Sequence, residues 1–141
     1  MSKRIVHSTS KGGVNVITPV NPNKTVEEIA ARIVPEGTSY KIIDATDLPK
    51  YNAFRNAWQL TGSKVTVNIE KAREIVHAKR RFVREQELEP LDNIIAKQIP
   101  GNDLTEVEAQ RQAIRDKYNT IQDNIDAAST TLKLNNILQS L

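Results

Sequence analysis

The sequence predicts an α+β protein, with a small N-terminal module built on a β-hairpin and then a long C-terminal antiparallel α-helical hairpin. Three observations lead to that class. Short β-branched runs, separated by glycine, proline and asparagine, fill the front of the chain. From Ile69 to Leu141 apolar residues recur at helical spacing, interrupted only at Pro90 and at Pro100-Gly101-Asn102. The change of period falls between Gly62 and Asn68 with no Ser- or Pro-rich linker. The expected modules are therefore 1–64 and 65–141, the second ending in a short terminal helix, with the two halves touching.

Taken in order, Arg4 to His7 and Val14 to Ile17 read as the arms of a hairpin. Lys11-Gly12-Gly13 supplies the turn, because glycine accepts positive φ without strain. Asn21-Pro22-Asn23 breaks the second arm. Thr25 and Glu28 have the spacing of a capping box, so a short helix should follow through Ile29, Ala30 and Ile33 and stop at Pro35-Glu36-Gly37. Ser39 to Ile43 is a third strand, with Tyr40 and Ile42 on one face and Lys41 and Ile43 on the other. A loop from Asp44 closes at Pro49. Phe54 to Trp58 reads as one or two helical turns ended by Gly62, with both rings on one side at i and i+4. Val65 to Val67 makes a last strand.

Asn68 is a good helix N-cap, with Glu70 in the first turn. The helix should run through Lys79-Arg80-Arg81 to Glu89. Pro90 then either kinks it or begins a new segment carrying Leu91, Ile94, Ile95 and Ile99. Asp103 and Glu106 suggest a second capping box. The next helix carries Leu104, Val107, Ile114, Tyr118, Ile121, Ile125 and Ala128. Their steps of three and four make a heptad seam with one polar slip, at Arg111. Ser129 or Thr130 caps a terminal turn holding Leu132, Leu134, Ile137, Leu138 and Leu141. Two long helices across a short Gly/Asn loop favour an antiparallel pair; a straight helix packed between subunits is the alternative.

Composition narrows the function. Apolar residues make up 38% of the 141, below the usual ~45–50%, and aromatics only 4%, so the core should be thin and reliant on neighbours. The net charge of +3 is diffuse: up to Lys64 there are nine basic against five acidic residues, and beyond it eleven against twelve. A nucleic-acid binder concentrates its charge, which argues against that class. With no cysteine there is no disulfide and no thiolate chemistry. The start Met-Ser-Lys-Arg lacks a following apolar stretch, so no secretory signal is expected, and no apolar run reaches a membrane span.

No catalytic residue, cofactor site or metal site is expected. His7 and His77 have no carboxylate at ligand spacing, and His77 is expected on the solvated side of its helix. Asp44 and Asp47 suit turn formation better than metal binding. Ser10 to Gly13 lacks the phosphate-loop pattern. The basic cluster at Lys79, Arg80, Arg81 and Arg84 is followed by Glu85, Glu87 and Glu89, so Arg81–Glu85 and Arg84–Glu87 pairs on a solvated face are expected, with partner docking the sharper alternative. Phe54 and Trp58 read first as core anchors and otherwise as an interface hot spot. Together with Ile114, Tyr118, Ile121 and Ile125 they are the candidate partner-binding residues.

Three strings carry a resemblance. They are Tyr40 to Pro49, Phe54-Arg55-Asn56-Ala57-Trp58, and Val65 to Ile75. In this stretch the chain resembles a family of small proteins encoded in the tail modules of tailed bacteriophages. Lys79-Arg80-Arg81, Gln98 to Gly101 and Ala113 to Tyr118 are similar to the helical half of the same family, so the resemblance runs from about Val26 onward. These motifs bear on fold rather than chemistry. The resemblance implies a non-enzymatic viral protein of the tail, baseplate or tail fibre, assembled in the host cytoplasm and present in the virion, with other tail or fibre proteins as partners and a homo-oligomer possible. A tail-fibre or tail assembly chaperone that departs before maturity is the alternative. A DNA-binding regulator using the helix around Arg80 is a third class.

Overall fold

The computed structural model describes residues 2–97 and 104–141. The fold is α+β, and the chain divides into two compact units, Met1–Asn68 and Ile69–Leu141. The division falls after Asn68, so the strand at Val65 to Val67 belongs to the front unit.

In the front unit, strands β1 (Lys3–Ser8), β2 (Val14–Ile17) and β3 (Tyr40–Asp44) form an antiparallel sheet in the order β2-β1-β3. Ile5 stands opposite Ile17 on one side and Ile42 on the other, which fixes the register of all three strands. Gly12, at φ 83°, turns the β1–β2 hairpin, and the Gly13 amide donates to Thr9 Oγ1 at 3.0 Å. Helix α1 (Val26–Ile33) starts at Thr25, whose hydroxyl accepts from the Glu28 amide at 3.1 Å as the capping box requires. Because side chains alternate along a strand, the sheet buries two faces. Ile5 packs with Ile29, Ala30 and Val34 of the α1 segment, joined by Ile17, Tyr40 and Ile42. Val6, Val14 and Ile43 pack instead with Trp58 and Val65.

Those last two residues lie on a second hairpin, β4 (Trp58–Thr61) and β5 (Lys64–Val67). Two expectations are corrected here. Residues Asn52–Ala57 form 3-10 turns kinked at Phe54, and Trp58 opens a strand rather than closing a helix. Gly62, at φ 61°, makes the two-residue turn between β4 and β5 rather than a helix end.

The helical unit consists of α2 (Ile69–Lys97), α3 (Leu104–Ala127) and α4 (Thr131–Ser140). α2 passes through Pro90 as one helix of 29 residues. Pro90 is exposed, so water can take the Gln86 carbonyl that the missing N–H leaves free. Cross-links pair Arg73 with Ala128, His77 with Asp126, Glu87 with Lys117 and Asp92 with Arg111, and this reversed order makes α2 and α3 antiparallel. Thr130 caps α4 by accepting from the Lys133 amide at 3.2 Å. α4 is the short terminal helix expected, and it folds back against α2 and α3 with Leu134 wholly buried. Ile99, the loop expected at Gly101-Asn102 and the cap expected at Asp103 lie outside the described residues.

Candidate functional site

The helical unit is closed by polar residues as much as by apolar ones. On α2, Arg73, His77 and Arg80 recur at steps of four and three, which sets them on one face of the helix. Arg73 donates from Nε and Nη2 to the carbonyl of Ala128, at 3.1 and 2.9 Å, and so satisfies a carbonyl at the end of α3 that the helix leaves open. His77 lies 2.8 Å through Nε2 from Asp126 Oδ1, and Arg80 donates from Nε to His77 Nδ1 at 3.3 Å. A guanidinium can only donate, so Nδ1 is the accepting nitrogen and the hydrogen sits on Nε2, pointing at Asp126. The contact with Asp126 is thus a hydrogen bond given by Nε2.

Sequence reasoning placed His77 and Arg80 on a solvated face; both are buried, at 6% and 4% exposure. Arg80 Nη1 finds no acceptor among the described residues. Burial lowers the Arg80 pKa below the usual arginine value, and the charges of Arg84 and Arg81 push in the same direction. The pairs expected within the basic cluster are also different. Arg84 reaches Glu85 at 3.3 Å, and Arg81 lies 3.9 Å from Glu74.

The polar slip at Arg111 has a structural use. Its Nε donates to Asp92 on α2 at 2.8 Å while Nη1 donates to Glu108 one turn back at 2.9 Å. Farther along, Lys117 donates to Glu87 at 3.2 Å. Beside it, Tyr118 is buried. Burial raises its phenol pKa above 10.0, and the hydrogen bond and charge of Glu87 add to this against the opposing charge of Lys117.

The six candidate partner-binding residues do not form one exposed surface. Phe54 and Trp58 are buried, Trp58 within the front core and with the Arg55 guanidinium 4.4 Å from its ring centre. Tyr118 and Ile125 are buried within the chain, and Ile114 and Ile121 are half-buried. The core reading of the two rings therefore stands, and the heptad seam is largely covered without a second subunit. Leu104, expected on that seam, is exposed, as are Phe82 and Leu132.

His7 is buried in β1 and donates from Nδ1 to the Ser8 carbonyl at 3.0 Å. Asp44 ends β3 and pairs with Lys3, directly opposite in register, at 2.7 Å; Asp47 lies in a 3-10 turn. Among the described residues no group of three or more His, Cys, Asp or Glu could hold a metal, and no helix is long and apolar enough to cross a membrane. Comparison with known protein families, characterised proteins and solved structures finds no match.

Proposed function

We propose that the chain is a non-enzymatic structural component of a tailed-phage virion, in the tail, baseplate or tail fibre, acting through protein–protein packing. One observation carries the packing role. Four polar side chains of the helical unit fasten its helices: Arg73, His77, Arg111 and Lys117 each bond across from one helix to another helix or its end. Directional bonds of this kind fix register and resist rearrangement, which suits a building block. The likeness of Tyr40 to Pro49, Val65 to Ile75 and Ala113 to Tyr118 to phage tail-module proteins supplies the setting. The partners on this reading are other tail or fibre proteins.

A mass-spectrometric inventory of purified virions tests it. Stoichiometric amounts in mature particles are expected. Abundance in infected cells with absence from finished particles would replace this reading with that of an assembly chaperone.

A further inference from the structure

We infer that the open edge of β2, with the cleft beside it, receives an extended strand of a partner protein that carries an apolar side chain next to a carboxylate. The inference rests on the packing role proposed above and gives the partner its chemistry. β2 bonds to β1 on one side and is the outer strand of its sheet, with no strand on its other side among the described residues. Its sequence, Val-Asn-Val-Ile, contains no lysine or proline of the kind that protects an edge from pairing.

The chain leaving β2 runs straight into a cleft of about 240 Å³ lined by Pro19, Val20, Lys24, Ile29, Arg32 and Ile33, among others. Val20 is 82% exposed and Ile33 52%, so two large apolar side chains from different elements stand open to water at one place. The cleft also presents Lys24 and Arg32. Neither has a carboxylate within ion-pair distance among the described residues, and no Asp or Glu is among the described residues lining the cleft. A strand edge offers main-chain bonds, an apolar cleft selects a side chain, and unmatched cations select a carboxylate. A second copy of this chain meeting the same face would bring the same Lys24 and Arg32 and no carboxylate from its own cleft, so self-pairing leaves these cations unmatched.

The test uses the ¹⁵N-labelled full chain titrated with a peptide acetylated at its N-terminus and amidated at its C-terminus, Thr-Val-Thr-Val-Leu-Asp. The expected result is perturbation of the Val14–Ile17 amides and of Val20 and Ile33, with slowed hydrogen exchange along β2. Ile33→Asp should weaken binding by about tenfold or more, and Arg32→Glu by a similar factor that shrinks with added salt. Both positions are exposed, so the variants should keep the parent melting temperature. A matching peptide ending in Leu-Lys should bind the parent weakly and recover on Arg32→Glu. Absence of perturbation at millimolar peptide, perturbation confined to other residues, or equal binding of the two peptides would overturn the inference. So would self-association of the free chain that Ile33→Asp abolishes, which would assign the edge to a second copy. The virion inventory is independent: a chain present in particles but inert to the peptide loses this inference alone, and one that binds the peptide but is missing from particles loses the virion assignment alone.

Discussion

His77 shows how much a single side chain can organise. Its two nitrogens hold opposite roles, one receiving from Arg80 and one giving to Asp126. His77→Ala should cost about 2–3 kcal/mol in urea unfolding, because it also removes the acceptor of the buried Arg80 Nε. Asp126→Ala should cost only about 1 kcal/mol, since the Asp126 side chain is 57% exposed and water can take its place. A double-mutant cycle showing no coupling between the two would remove the link. Tyr118 gives a prediction in pH. Its folded pKa is raised above the unfolded value, so its contribution to stability is complete below the unfolded pKa and is lost as pH rises through the folded one. Tyr118→Phe should therefore flatten the decline in melting temperature between about pH 9 and about pH 11. An unchanged decline would mean that the phenol is not held in its neutral form. None of this polar seam could be read from sequence. His77 and Asp126 are 49 positions apart, and only the register of two helices brings them together. Arg80, inside a basic triplet, carries no local mark that separates it from its solvated neighbours.

The elements themselves were more legible where their signals are local. The Thr25 cap on the Glu28 amide, the β-branched runs around Gly12, and the alternation of Tyr40 to Ile43 each act over a few residues, and each forms as expected. Trp58 misled because an i, i+4 spacing is shared by a helix and by a tight turn followed by a strand. Pro90 leaves both a kinked helix and a new segment open from sequence, and the helix continues through it. Loss of one hydrogen bond on an exposed side does not end a helix held along its length by neighbours. Pro90→Ala should raise stability by about 1–3 kcal/mol without altering helix content by circular dichroism. In α3, Ile125 is fully covered whereas Ile114 and Ile121 are half-buried. Ile125→Ala should cost about 2–5 kcal/mol and Ile114→Ala clearly less. Equal losses would mean that the seam is centred elsewhere.

For the molecule as a whole, diffuse charge has a measurable counterpart. Arg80, the centre of the basic cluster, is buried and unavailable to a phosphate backbone, while Arg84 is already paired with Glu85. Titration with duplex DNA at low ionic strength should show no salt-dependent affinity; a steep slope against salt would restore the regulator class. The α+β class was readable from the switch in period near Gly62 to Asn68. That α4 lies along α2 was not, because Leu132, Leu134 and Leu138 mark an apolar face without saying what it meets. The double grip of Arg73 on the Ala128 carbonyl sits at the elbow where the chain turns from α3 into α4. Removing that clasp frees the bend to be threaded into a protease cleft. Limited digestion of Arg73→Ala should therefore make its first nick near Ser129, shedding the last rod while the remaining pair stays whole.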